Sequence, residues 1–226
     1  MTPLSTLEKQ LGIKFNKPIL LEQAFVHRSY LNENEFEPGH NERLEFLGDA
    51  VLELVVTEYL YNKFTNKPEG ELTALRSALV KKETLKEISD ELKLYQYLKL
   101  SKGEAKSVAN QITILANVVE ALVGAIFLDG GIKPAQAFLS THLLPKLEVI
   151  IANKAYLDAK SQFQEVAQER HSITPVYKVV SESGPDHSKV FEIAVCLGDK
   201  EVARGTGPSK QSAEMAAAEA ALAQYK

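Results

Sequence analysis

The chain has 226 residues, enough for one large domain or two modest ones. Hydrophobic residues make up 45% and charged residues 25%, ordinary for a soluble globular protein, and no apolar run approaches the roughly 18 residues that span a bilayer. The net charge of −4 gives no global electrostatic reason to expect nucleic acid, so any such binding must come from local lysine and arginine clusters. Cys196 is the only cysteine, which rules out an intrachain disulfide and fits a reducing cytoplasm. No CxxC, HxxxH or HExxH spacing occurs, which argues against zinc. The start, Met1 to Lys14, is polar and helix-patterned rather than a signal peptide.

In chain order, Leu4, Leu7 and Leu11 pattern a first helix that Gly12 ends. Pro18 opens a second, running through Leu20, Leu21, Ala24, Phe25 and His27. Residues 32–41 are a turn-rich loop, and Asn41 is well placed to cap the next helix, which runs to about Phe64. On that helix Glu42, Glu45 and Asp49 are spaced i, i+3, i+7, so they fall within about 60° of one another. Like charges one turn apart cost a helix about 0.2–0.5 kcal/mol. Two explanations fit: a solvated acidic face with Arg43 nearby, or a divalent cation held by hard oxygen ligands.

Pro68-Glu69-Gly70 punctuates the chain. A helix with Leu72, Leu75, Leu79 and Val80 as its apolar positions follows, then another from Thr84 to Leu94. Residues 101–110 form a polar loop. Ile112 to Leu128 is apolar except for Thr113, Asn117, Glu120 and Gly124, the pattern of a buried core helix. Asn117 and Glu120 share a face there. A lone buried glutamate is costly unless paired, protonated or metal-bound, and Arg43 and Arg76 are the candidates for an ordinary salt bridge. Asp129-Gly130-Gly131 ends this helix, and Pro134 to Ile151 reads as one more. His27, Ser29 and Ser77 lack any triad context and read as structural or capping residues.

Residues 1–152 thus read as all-α, and the pattern changes beyond a short joint near Asn153 to Tyr156. Leu157 to Arg170 is helical. Pro175 to Val180 and Phe191 to Leu197 alternate like half-buried strands, and Lys200 to Arg204 is a third. Gly205 to Ser209 is a turn, and Lys210 to Lys226 is an alanine-rich helix. Residues 155–226 therefore form an α+β domain in the order α-β-β-β-α.

Asn41-Glu-Arg-Leu-Glu-Phe-Leu-Gly-Asp49 resembles the signature of the ribonuclease III family almost letter for letter. Ile114 to Asp129 is similar to the family's second acidic motif and Pro68 to Leu79 to a third landmark. Asp158 to Glu165, Gly184-Pro-Asp-His187 and Gly205 to Lys210 resemble a double-stranded-RNA-binding domain. The resemblance covers essentially the whole chain. It implies an all-α endonuclease domain followed by an α+β RNA-binding domain. It also implies hydrolysis of duplex RNA to 5′-phosphate and 3′-hydroxyl ends with short 3′ overhangs, in cytoplasmic rRNA-precursor and mRNA processing.

The resemblance further implies a Mg²⁺ site, with Mn²⁺ able to substitute. Its ligands are Glu45, Asp49, Asn117 and Glu120, of which Asp49 and Glu120 are catalytic. Glu42 and Glu69 correspond to further active-site acids, and Gln164, Glu165, His187 and Lys210 to RNA contacts. A homodimer through the endonuclease domain is implied, with no membrane. Gly48 fits a close backbone approach. Phe46 is either a plug into a partner subunit or ordinary core packing. Asn117 departs from the family pattern, which has aspartate there. Its amide oxygen still suits a hard cation but brings no charge, which leaves open a duplex-RNA binder that cuts weakly or not at all. Residues 154–226 hold nine Lys/Arg against ten Asp/Glu, so binding by that domain is expected to be weak and salt-sensitive.

Overall fold

The computed structural model describes residues 2–106, 111–185 and 188–225. The chain divides into two compact units, residues 1–153 and 154–226.

In the first unit, α1 (Leu4–Leu11) stops where Gly12 turns left-handed at φ 65°, a conformation glycine adopts without a Cβ penalty. Pro18 opens α2 (Pro18–Ala24) as its first residue, where a missing N–H costs nothing. This helix ends three residues before the expected His27. Val26 instead bridges to Lys99, and His27 caps a 3₁₀ turn over Arg28–Asn32. The central helix α3 (Glu42–Lys63) starts at Asn41, but the Asn41 side chain makes no cap bond. Its amide donates instead to the Ala24 carbonyl at 3.2 Å, tying the start of α3 to the end of α2.

Next come α4 (Glu69–Val80) and α5 (Lys82–Glu91), then α6 (Ile112–Gly130). Where one helix was expected over Pro134 to Ile151, there are two, α7 (Ile132–His142) and α8 (Lys146–Ala152). Pro134 is tolerated in the first turn of α7, whereas Pro145 lacks the N–H that would carry α7 onward. By length and composition alone α6 is apolar enough to cross a bilayer, contrary to the sequence expectation. Its burial against α2, α3, α5 and α7 accounts for that apolarity as the core of a helical bundle.

The most extensive helix pair is α3 with α6. They meet backbone to backbone: a Cβ on Gly48 would lie 1.8 Å from the Glu120 carbonyl oxygen, and one on Gly124 2.2 Å from that of Leu44. The close approach at Gly48 is thus within the chain.

In the second unit, α9 (Ala159–His171) is capped by Asp158, whose carboxylate accepts from the Ser161 N–H at 2.8 Å. Strands β1 (Val176–Ser183), β2 (Val190–Leu197) and β3 (Lys200–Gly207) form an antiparallel sheet in that order, with Tyr177, Val195 and Ala203 in one register row. A final helix, α10 (Lys210–Ala223), is capped by Ser209. Phe163, Ala167, Val195, Leu197, Ala217 and Ala221 form the core. β3 runs to Gly207 rather than stopping at Arg204. A Cβ on Gly205 would lie 2.1 Å from the Ala217 nitrogen, so this glycine admits α10 against the strand instead of making a turn. β1 is not half-buried: only Tyr177 along it is shielded from solvent.

Gly124→Ala is expected to lower stability by about 3 kcal/mol, because two backbones must separate to admit one methyl group. The melting temperature should fall by roughly 6–12 °C. An unchanged melting temperature would show that the crossing has slack.

Candidate active site

The crossing of α3 and α6 brings four of the sequence-nominated side chains together. Asn117 on α6 donates its amide to the Glu45 carboxylate on α3. Glu120, one turn further along α6, is largely buried and lies within electrostatic range of Asp49 and Glu45. Burial raises its carboxyl to about 7, the Asp49 and Glu45 charges push the same way, and Lys82 opposes them. Burial also raises Glu45, with the Asn117 hydrogen bond as the main counterweight.

No arginine relieves the cluster. Arg76 is committed to Glu53 at 3.4 Å and Thr57 at 3.1 Å, and among the described residues no ion pair involves Glu120. The salt-bridge explanation for Glu120 therefore fails, and its carboxyl sits where the charges of Asp49 and Glu45 outweigh the opposing charge of Lys82.

Among the described residues no three His, Cys, Asp or Glu side chains close into a cation cage. The open set still fits Mg²⁺, which keeps several waters and takes only one or two carboxylates. Its donors are all hard oxygens. An amide that donates to the Glu45 carboxylate does so through Nδ2, and its Oδ1 is chemically a hard donor that suits a cation.

Glu42 begins α3, 3.8 Å from Arg28 and 3.7 Å from His40. With Glu45 and Asn117 it lines a cavity of about 690 Å³ that His27, Arg28 and Glu104 also line. Glu69 is not brought to this group. It opens α4 and lines a separate cavity of about 270 Å³ with Thr57, Leu60, Tyr61, Leu72 and Arg76. Thr57 is twelve residues past Glu45 on α3, about 18 Å along the helix axis. Phe46 is 82% exposed, which excludes core packing, and it shares an apolar stripe of α3 with Leu54 and Tyr61.

In the second unit Gln164 and Gln211 line one pocket, so the exposed side of α9 and the start of α10 share a face. Glu165 is paired with Lys154 at 2.7 Å. Lys210 is paired with Glu182 at 3.1 Å and stands over the Phe191 ring. His187 lies outside the described residues.

Sequence reading missed Gly124, Lys82 and the wall around His27. Gly124 had a signal, a lone glycine one turn past Glu120 in an apolar helix. Lys82 had none, because its proximity to the acids arises only when α5 packs on α6.

A family model described as Ribonuclease-III-like matches residues 17–147, and one described as double-stranded RNA binding motif matches residues 159–225. Ribonuclease 3 of Protochlamydia amoebophila is 45% identical over 221 residues, covering 97% of this chain and 91% of that protein. Ribonuclease 3 of Streptococcus thermophilus is 43% identical over 220 residues, 96% of each chain. A solved nuclease domain of ribonuclease III from Campylobacter jejuni is 36% identical with a TM-score of 0.58, covering 63% of this chain and 99% of that one. That structure was described for flexibility in a region involved in dimer formation.

The Glu120 environment sets a pH dependence. Its folded value of about 7 lies above the ordinary 4.5, so as pH rises the unfolded chain releases this proton first. The stability it contributes is full below about 4.5 and is lost as pH climbs to about 7. In metal-free buffer at pH 8, Glu120→Gln is expected to stabilise the protein by on the order of 1 kcal/mol, allowing for solvent screening. At pH 4 it should change little. Thermal melts at both pH values check this, and a variant less stable at pH 8 would contradict it.

Proposed function

The chain belongs to the ribonuclease III family, and from that membership we propose that it is a Mg²⁺-dependent endonuclease that hydrolyses phosphodiester bonds in double-stranded RNA. The products are 5′-phosphate and 3′-hydroxyl ends with short 3′ overhangs, and Mn²⁺ substitutes for Mg²⁺. The setting is rRNA-precursor and mRNA processing in the cytoplasm, which suits a chain whose single cysteine, Cys196, is buried and free.

The observation that carries the reading is Glu120, half-buried within electrostatic range of Asp49 and Glu45, with Lys82 opposing them and no ion pair of its own among the described residues. Glu45, Asp49, Glu120 and the Asn117 Oδ1 would hold the cation. When bound, it lowers the pKa of a water to make the nucleophile and steadies the leaving 3′ oxygen. The protein's own groups do the positioning. Asn117 fixes the Glu45 carboxylate, Glu120 gives up its proton on loading, and Glu42 stands where Arg28 and His40 orient it. Gln164, Glu165 and His187 contact ribose edges in the minor grooves, and Lys210 meets phosphate beside the start of α10.

The proposal includes a homodimer formed through the apolar stripe of α3. A two-fold interface pairs each patch with itself, so the Phe46 plug of one subunit enters the 270 Å³ cavity beside Tyr61 of the other. That docking would carry Glu69, on the rim of the same cavity, toward the opposite subunit's Glu45 and Asp49. The far position of Glu69 within one chain is then a consequence of its serving the other.

A second reading keeps duplex-RNA binding without cutting, and the neutral amide of Asn117 at a ligand position favours it. Labelled duplex RNA with Mg²⁺ or a chelator separates the two. Metal-dependent cuts with 3′ overhangs support the enzyme, and a gel shift without cuts supports the binder. Asn117→Asp is expected to lower the Mg²⁺ needed for half-maximal cleavage by on the order of tenfold, because ligand charge sets affinity. An unchanged Mg²⁺ dependence would remove Asn117 from the ligand set.

Phe46→Ala should leave the melting temperature nearly unchanged when extrapolated to dilute monomer. It should shift the protein from dimer to monomer in sedimentation at micromolar concentration. A variant that still sediments as a dimer would disprove the plug.

A further inference from the structure

His27 and Ser29 take no part in the chemistry above. The Ser101 backbone N–H donates to Ser29 Oγ at 3.1 Å, and that hydroxyl lies 2.9 Å from His27 Nδ1. The Ser29 backbone N–H also donates to Nδ1, at 3.3 Å. An amide N–H can only donate, so Nδ1 is the bare, accepting nitrogen, and the ring proton sits on Nε2. Burial keeps the ring neutral by lowering its pKa. The capping role expected of His27 is real but uses one nitrogen. Among the described residues, Nε2 meets no acceptor.

His27 lines the 690 Å³ cavity that also touches Glu45 and Asn117, a volume within the range of small-ligand sites. The chemistry of the wall selects the occupant. Glu42, Glu45 and Glu104 line this space with one arginine, Arg28, itself 3.8 Å from Glu42, so a phosphate there would meet three carboxylates and a cation already paired. A hydroxyl group, neutral and both donor and acceptor, is matched by an N–H on one side and a carboxylate on the other. In RNA such a group sits on every sugar, and in DNA it is absent.

We propose that His27 donates from Nε2 to a ribose 2′-hydroxyl of the duplex substrate beside the cut, and that Glu104 accepts from the same hydroxyl. His27 is then the residue through which the nuclease unit itself distinguishes RNA from DNA. The inference rests on the duplex-RNA cleavage reading.

The test uses the full chain with Mg²⁺ and duplexes carrying a single 2′-deoxy sugar, scanned through the positions flanking the cut. The expected result for the wild type is one position at which kcat/KM falls roughly five- to tenfold. His27→Asn keeps an Nδ1-like acceptor but lacks the distal donor. It should show the same loss on all-ribose RNA and no further loss at that deoxy position. His27→Gln places an N–H near the position of Nε2 and should restore both activity and discrimination. A purely structural His27 predicts the opposite order, with Asn the better replacement because it preserves the Ser29 bond. A wild-type scan with no penalised position overturns the inference whatever the variants do. So does an Asn variant that still discriminates, or a Gln variant no better than Asn. A wild type that leaves the all-ribose duplex uncut overturns the parent reading. One that cuts every deoxy duplex equally overturns only this inference.

Discussion

The helical unit depends on α3 and α6 touching backbone to backbone at Gly48 and Gly124. With no side chain between them, the helices cannot slide or separate without losing the tightest contact in the bundle. Polar residues flanking the contact are therefore held at fixed separation, half out of water. Glu45, Asp49 and Glu120 repel one another there, and the fold gives them no arginine to relax against. A surface acidic cluster disperses its charge by moving side chains into solvent, whereas this one is anchored by the crossing. In the proposed reading, the repulsion among these acids in the metal-free state and the affinity of the site for a hard cation would be two faces of the same geometry.

Asn117 changes the balance between those two faces. An aspartate at this position would add a fourth carboxylate and remove the one neutral donor that steadies Glu45. The amide therefore favours the metal-free fold and, in the proposed ligand set, would bring one charge fewer to a cation. Anything that binds the folded state alone stabilises it in proportion to the logarithm of its concentration over Kd, so the weaker site also gains less stability from metal. If Asn117 is a ligand as proposed, an amide in place of a carboxylate would move free energy from the loaded state to the empty one.

The opening helix and the acids on it were legible because helical spacing fixes which residues share a face. The same holds for Glu120, whose presence in an apolar run announces a constraint. What failed was whatever depends on a neighbour far along the chain. Asn41 sits at the position of a cap, but its amide is claimed by Ala24. Gly205 and Gly207 read as a turn because glycine does two jobs, and only the approach of α10 shows that here it makes room. Pro145 divides a helix whose apolar pattern runs through it. Glu69 carried the right motif, yet one chain's topology leaves it about three helical turns or more from the other acids. The partner proposed for it is suggested only by the exposed apolar stripe of Phe46, Leu54 and Tyr61.

The second unit shows how a chain with net negative charge can still hold a polyanion. Lys210 and Lys154 are occupied by Glu182 and Glu165 in exposed pairs. Such pairs are worth about 0–1 kcal/mol, so at a proposed RNA contact a phosphate would displace the carboxylate at small cost. Lys210, the lysine proposed to meet phosphate, is then held in place before binding rather than left to search. Affinity built this way is low per unit, because little net charge remains to release counterions. In the proposed dimer, two such units act on one duplex, and the second binds at the effective concentration set by the first. Weak single contacts then become a requirement for length: only a duplex long enough to meet both units is retained. Selection by duplex shape and extent, rather than by charge, is what an acidic protein with two modest RNA surfaces can achieve.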